Sequence, residues 1–200
     1  MFTGIVETLA RVEEIRQEGT NTVFTLSSPI SSEFSVDQSI SHNGVCLTVT
    51  KVEGDRHEVV AVEETLQRSN LGEWEVGHDV NLERSVRMSD LMDGHMVQGH
   101  VDDMGICKKV EERDGSWLYT FSYAPKHAHL LVNKGSISIN GTSLTVIEPT
   151  DREFLVTIIP YTYDHTTFKH IQPGDKVNLE FDIIGKYLAR YLERLDHLHR

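Results

Sequence analysis

The chain repeats itself, and the repeat limits what it can fold into. Residues 39–49 read SISHNGVCLTV and residues 136–146 read SISINGTSLTV, identical at eight of eleven positions at an offset of 97. The same offset aligns VNLE at 80–83 with VNLE at 177–180, Thr65 with Thr162 and Gly77 with Gly174. At an offset of 95, MFTGIV (1–6) matches MVQGHV (96–101) at Met, Gly and Val. Matches recurring in one order in both halves mark a duplicated module of about 95 residues, the size of a small domain. The expected units are 1–95, 96–182 and a C-terminal segment 183–200, with the main boundary near Asp93-Gly94-His95.

Each copy reads as strand. ARVEEIRQ, NTVFTLSS, CLTVTKVEG, RHEVVAVEE and DVNLERSV are short alternating β-branched runs, divided by turns at Glu18-Gly19, Glu53-Gly54-Asp55 and Val76-Gly77. WLYTFSYA, SISI, SLTVIEP, FLVTIIP and KVNLEFDI repeat the pattern, with turns at Asp114-Gly115 and Pro173-Gly174. Six or so strands at this spacing predict a closed Greek-key barrel in each copy, an all-β fold. Helical pattern is confined to Pro125–Val132, a turn near Glu63–Asn70 and residues 183–195. In that last segment Ile184, Leu188, Tyr191 and Leu195 form an apolar stripe at 4-3-4 spacing. Either its own barrel or copies of the same helix from other subunits cover the stripe. Asp196–Arg200 is polar and is expected to fray.

Composition excludes several classes. Asp and Glu number 31 against 19 Lys and Arg, a formal charge of −12 without a basic patch, so nucleic acid is not an expected partner. Two cysteines, Cys46 and Cys107, make no disulfide framework and fit a reduced compartment. The start has no basic region before an apolar run, and no stretch approaches the roughly 20 apolar residues of a membrane span. A soluble, cytoplasmic protein is expected. Eleven histidines show neither HExxH nor a CxxC companion, and His127, His129, His197 and His199 read as surface residues. GxGxxG, GxSxG and P-loop motifs are absent, so no metal or cofactor is expected.

The copies differ where chemistry would sit. Cys46 stands opposite Ser143, His42 opposite Ile139, Ile5 opposite His100, and Glu63-Glu64 opposite Pro160-Tyr161. Plain structural readings cover each residue alone: Cys46 as a small core residue, Ser39 and Ser136 in turns, Thr48 and Thr145 as strand formers. A strand needs only its hydrophobic pattern, however, and these segments keep Ser, Asn, Gly and Thr as well. Retained polar residues beside a diverged Cys46 predict two cradles for the same kind of small polar ring.

At these residues a resemblance to the riboflavin synthase family emerges. It is carried by MFTGIV, NGVCLTV, EETLQRSNLG, GHMVQGHVD, NGTSLTV, IPYTYDHTTF and VNLEFDIIGKYLAR, in order over residues 1–195. The resemblance implies two tandem six-stranded Greek-key barrels plus a C-terminal helix, assembled as a homotrimer. It implies a dismutation in which one 6,7-dimethyl-8-ribityllumazine passes a four-carbon unit to another, giving riboflavin and a ribitylamino-pyrimidinedione, with no cofactor or metal. The family's working site lies between the first barrel of one subunit and the second barrel of its neighbour. Positions matching the family's site are Phe2, Ser39, Cys46 and Thr48 in the first copy, and His100, Lys134, Ser143, Thr145 and Asp182 in the second.

The roles carried over are a nucleophile from Cys46 or Ser39, a proton shuttle at His100, an orienting carboxylate at Asp182 and a ring-face contact at Phe2. Ligand segments of the first copy are Gly4, Ile5 and Val6; Cys46, Leu47 and Thr48; and Val60, Ala61, Val62, Glu63, Glu64 and Thr65. Those of the second are Gly99, His100 and Val101; Ser143, Leu144 and Thr145; and Ile158, Ile159, Pro160, Tyr161, Thr162 and Tyr163. Two departures stand out: Asn140 replaces an Asp of some relatives, and Val45 a second Cys. A lumazine- or flavin-binding antenna protein is the alternative, and an oligonucleotide-binding barrel a remoter one.

Overall fold

The computed structural model describes residues 1–198, and the side chains of residues 1–195. Thus His199 and the end of the expected frayed tail lie outside the described residues, and nothing is assigned to the side chain of His197. The first repeat forms β1 (Thr8–Glu18), β2 (Asn21–Ser27), β3 (Ser39–His42), β4 (Val45–Glu53), β5 (Arg56–Ala61) and β6 (Asp79–Arg84). They close into an antiparallel barrel in the order β1-β2-β5-β4-β3-β6. The second forms β7 (Asp103–Arg113), β8 (Ser116–Ser122), β9 (Ser136–Ile139), β10 (Thr142–Thr145), β11 (Glu153–Ile158) and β12 (Lys176–Phe181), in the order β10-β9-β12-β7-β8-β11. This is the same path at the same offset.

Closure differs between the two. β4 pairs with β5 from Val49–Val59 to Glu53–Arg56, whereas β10 and β11 meet only through the Ile147–Leu155 bridge beyond β10's end. The expected strand SLTVIEP stops at Thr145 because Glu148 takes a left-handed φ of 46° and Pro149 has no N–H to donate. Short helices α1 (Glu63–Arg68) and α2 (Pro160–His165) follow β5 and β11. The segment expected to be helical at Pro125–Val132 is a 3-10 turn, Pro125–Leu130.

Alternation places one face of every strand in a core. Phe24, Leu26, Ile40, Val49, Val59 and Leu82 fill the first barrel; Phe121, Ile137, Phe154, Phe168, Leu179 and Phe181 fill the second. The first core also holds a polar chain. His42 Nε2 meets His57 Nε2 at 2.9 Å, His57 Nδ1 meets Ser31 Oγ at 2.8 Å, and Ser31 Oγ meets Ser28 Oγ at 2.7 Å. Positions 97 residues later carry Ile139, Phe154, Ala128 and Pro125. The His42 divergence therefore lies inside the barrel rather than at a ligand cradle. Burial favours the neutral form of both imidazoles, pushing His57 down to about 4 and His42 well below its ordinary value, where a proton on His57 would also repel one on His42.

The barrels are joined by a buried asparagine lock. Asn81 Nδ2 donates to the Asn140 carbonyl and Asn178 Nδ2 donates to the Asn43 carbonyl, each at 2.8 Å. Asn81 Oδ1 accepts the Thr167 N–H, and Asn178 Oδ1 accepts the Asn70 N–H. Asn43 Oδ1 and Asn140 Oδ1 accept the N–H groups of Asn81 and Asn178. Each bond has its partner at the repeat offset, so the two repeats meet as a pseudo-twofold pair. Asn140, which stands where some relatives carry Asp, spends its side chain here.

The last helix, α3 (Ile183–Leu198), is not covered by its own barrel. Ile184, Tyr187, Leu188, Tyr191 and Leu192 are all more than half exposed. Between α3 and residues 129–136 runs a groove of about 580 Å³ that includes Leu130, Val132, Asp182, Leu188 and Leu192.

Two outcomes follow for stability. An unfolded histidine binds its proton below pH 6.5, while the folded pair resists protonation, so stability is full above that value and falls from there toward His57's value of about 4. The His57 contribution is on the order of 3 kcal/mol. Replacing the pair by the second repeat's residues, His42→Ile with His57→Phe, flattens that loss in denaturant titrations across pH; an unchanged slope contradicts the assignment. Asn178→Ala strands the Asn43 carbonyl and the Asn70 N–H and lowers unfolding free energy by about 3 kcal/mol. A loss below about 1 kcal/mol, within the range of a surface substitution, contradicts the lock.

Candidate functional site

Strand alternation decides where Cys46 points. Val45, Leu47 and Val49 enter the barrel core, so Cys46 and Thr48 face outward, the first half-buried and the second exposed. The core reading of Cys46 is thereby corrected. Ser39 lies opposite Thr48 across β3 and β4, and Ser136 opposite Thr145 across β9 and β10. Beyond the Val49–Val59 pair, β4 and β5 share no further rung, so residues 46–48 and 60–62 leave facing unpaired edges, the first cleft. The Cys46 N–H points away from β3, and alternation aims the Thr48 backbone N–H and C=O the same way. In the second repeat, Ser143 and Thr145 occupy the equivalent positions opposite residues 157–159.

The leading segments of the repeats are exchanged. The Cys46 N–H donates to the Gly99 carbonyl and the Ser143 N–H donates to the Gly4 carbonyl, both at 2.8 Å. Residues 99–101 thus border the first cleft and residues 4–6 the second. The sequence grouping, which placed Gly4, Ile5 and Val6 with Cys46, and Gly99, His100 and Val101 with Ser143, is corrected on this point. Gly4 and Gly99 permit the approach: both have φ near +80°, and a Cβ on either would lie 2.6 Å from the Cβ of Ser143 or Cys46.

Two buried carboxylates hold these segments. Glu83 accepts the Thr3 N–H at 2.6 Å, the Thr3 hydroxyl at 2.7 Å and the Gly4 N–H at 3.0 Å. Glu180 accepts the N–H groups of Gln98, Gly99 and His100 at 2.6, 2.9 and 3.0 Å. Burial pushes both carboxyls up from the ordinary glutamate value, and the donated hydrogen bonds pull them back. Between the segments, Phe2 and Val97 exchange both backbone hydrogen bonds. Phe2 is fully buried beside Gly99, so it supports the first cleft from beneath instead of offering a ring face. Its backbone pairing fixes it there.

The other expected residues divide. Around the first cleft stand Ser39, Cys46, Leu47, Thr48, Val60, Ala61, Val101 and exposed His100. Val62 is exposed, and Glu63 and Glu64 turn outward on α1, bonding Gln67 and Arg68. The carbonyls of Thr65 and Thr162 accept hydroxyl hydrogens from Ser69 and Thr166. Around the second cleft are Gly4, Ile5, Val6, Ser143, Leu144, Thr145, Ile158 and Ile159. Tyr161 stacks on His165 at 4.1 Å, and Tyr163 stacks on Trp117 at 3.8 Å. Lys134 is exposed in the loop before β9 at φ 67°. Asp182 accepts the Ile184 N–H at the start of α3. His100 is held on the Cys46 side by its N–H to Glu180, and the charge of Asp182 favours the protonated form of His95.

Sequence reading missed Glu83, Glu180 and His95. The retained VNLE carried the signal for both glutamates, since a solvent-facing strand end has no reason to keep its acid. His95 shares a 2.6 Å hydrogen bond with Ser143 Oγ. Among the described residues no group of three or more His, Cys, Asp or Glu could hold a metal, and no helix is long and apolar enough to cross a membrane.

Comparison with known proteins shows the family and the fold. The lumazine binding domain profile matches twice, over residues 3–85 and 98–182. The riboflavin synthase of Actinobacillus pleuropneumoniae is 37% identical over 193 residues, covering 96% of this chain and 90% of that protein. That of Bacillus subtilis is 35% identical over 195 residues, covering 97% and 91%. The crystal structure of LumP complexed with riboflavin superposes with a TM-score of 0.84 at 21% identity, covering 90% of this chain and 99% of that one. LumP complexed with 6,7-dimethyl-8-(1'-D-ribityl) lumazine superposes at 0.82, also at 21% identity. At that identity the likeness is one of fold.

The two thiols differ in accessibility. Cys107 is buried, which pushes its thiol up to about 11, while Cys46 is half-buried on an outer face. A thiol-reactive chromophore at pH 8 is expected to titrate one thiol in the native protein and two after unfolding. Two reactive thiols in the native state would contradict the placement of Cys107; none would contradict that of Cys46.

Proposed function

The chain belongs to the riboflavin synthase family, and we propose that its two cradles bind two molecules of 6,7-dimethyl-8-ribityllumazine for the four-carbon transfer that yields riboflavin. The observation that carries this reading is the pair of matched clefts with unmatched chemistry, Cys46 beside one and Ser143 beside the other. Donor and acceptor are the same molecule, which calls for two similar cradles; they react differently, which calls for divergence between them. The unpaired backbone edges at Thr48 and Thr145 suit a pyrimidinedione edge, whose C=O and N–H groups alternate as a strand's do. Polar groups buried against the ring must be paired, and backbone can do so without charge.

Catalysis in this reading is chiefly placement. Holding two rings face to face replaces a bimolecular encounter and is worth roughly 7–11 kcal/mol. The electron-poor ring delocalises the carbanion formed at its 7-methyl group, so modest bases suffice. Cys46 or Ser39 supplies or activates a nucleophile, His100 moves a proton, and Asp182 orients a group across the contact. Two cradles meet where the first barrel of one subunit faces the second barrel of another in a homotrimer. The bare apolar face of α3, with Ile184, Leu188 and Tyr191 exposed, supports an assembly through residues 183–200. The repeats 1–95 and 96–182 act as the two binding units. The setting is cytoplasmic.

Incubating the purified protein with 6,7-dimethyl-8-ribityllumazine and following riboflavin absorbance tests the reading directly. Turnover supports it; tight binding without turnover supports an antenna protein. Cys46→Ser is expected to lower kcat more than it weakens ligand binding, and equal losses would assign Cys46 to packing. Truncation after Asp182 lowers sedimentation mass and activity together; an unchanged mass removes α3 from assembly.

A further inference from the structure

His95 sits where the connection between the repeats passes over the second cleft. Its N–H donates to the Thr3 carbonyl at 3.0 Å, and the next residues pair with Phe2. Gly94 brings the chain close enough, since a Cβ there would lie 2.1 Å from the Thr3 oxygen and 2.9 Å from Ser143 Cβ. The imidazole Nδ1 then meets Ser143 Oγ at 2.6 Å, and Nε2 is buried without a partner. Ser143 is therefore the ring's one side-chain hydrogen-bond partner among the described residues. Burial favours the neutral imidazole, while Asp182, the charged group acting on it, favours the cation. The first cleft has no equivalent pair: no hydrogen bond to Cys46 Sγ is formed among the described residues, and His100 is exposed there.

We propose that His95 is a positioning residue for Ser143, holding the serine hydroxyl in one orientation toward the second cleft and accepting its proton at Nδ1. In that step the Ser143 O–H bond breaks, its electron pair stays on Oγ, and the proton forms the N–H of an imidazolium whose charge Asp182 favours. Ser143 becomes a hydroxyl with its own base, whereas Cys46 works without one. This deepens the reading of the clefts as a lumazine pair and rests on it: the two cradles are chemically distinct because the linker histidine serves only one.

The test is a double-mutant cycle on the full-length protein with 6,7-dimethyl-8-ribityllumazine as ligand. His95→Asn keeps a hydrogen-bonding atom near the Nδ1 position but cannot take a proton. It is expected to lower kcat on the order of 100-fold with Kd moved by less than about 3-fold, and Ser143→Ala to do the same. The double variant is expected to be no slower than Ser143→Ala alone. Multiplied losses, a wild-type kcat for His95→Asn, or Kd rising in step with kcat loss overturns the proposal. Nitrogen-15 spectra of the imidazoles supply a readout independent of turnover: Ser143→Ala shifts the Nδ1 resonance of one histidine. If no histidine resonance moves, the bond and the proposal fail. Absence of riboflavin formation by the wild-type chain would instead overturn the functional reading, and the spectra would still decide the bond.

Discussion

Two buried glutamates organise everything that makes this chain more than a pair of barrels. Glu83 and Glu180 each collect three donors from a leading segment and hold it against the opposite repeat's cleft. An ionised carboxylate is expensive to bury, and it is tolerated here because every donor that surrounds it is well placed. The segments so held reach Ser143 through Gly4 and Cys46 through Gly99. Each cradle is consequently a joint product of both repeats, and the asparagine lock keeps the repeats in the register that the exchange requires.

Duplication explains why these devices come in pairs, and divergence explains the exceptions. The lock and the glutamates are kept at the offset of 97, and the glycine carbonyls at 95. What differs falls into two places. Inside the first barrel, His42, His57, Ser31 and Ser28 replace the apolar set Ile139, Phe154, Ala128 and Pro125. At the clefts, Cys46 faces out alone and Ser143 faces His95. The first difference lies in the barrel interior; the second gives the two clefts different side chains.

Much of this was legible in the sequence, for identifiable reasons. Alternating β-branched runs and Gly turns define strands, and SISHNGVCLTV with SISINGTSLTV exposes the repeat, so the fold and the outline of the clefts follow. The inward or outward facing of Cys46 does not follow from its own preferences, because free cysteines favour cores; only the strand phase decides it. Which repeat a leading segment serves is a long-range fact that offset alignment cannot carry. Retained Asn43 and Asn140 looked like ligand contacts, yet polarity conserved between copies can equally mark an interface between them. Glu148 and Pro149 shorten β10 through backbone chemistry that a hydrophobic pattern does not register.

The exchange of leading segments shapes both clefts, and the reactivity of Cys46 reports on it. Glu180 belongs to the second repeat but holds the segment that lies over Cys46; Glu83 belongs to the first but holds the segment over Ser143. The rate of Cys46 alkylation by iodoacetamide in the native protein, compared between Glu180→Ala and Glu83→Ala, separates the two arrangements. With exchanged segments, the reaction is several-fold faster in Glu180→Ala and runs at the wild-type rate in Glu83→Ala. Acceleration by Glu83→Ala alone would mean that each repeat closes its own cradle and that the segments are not exchanged.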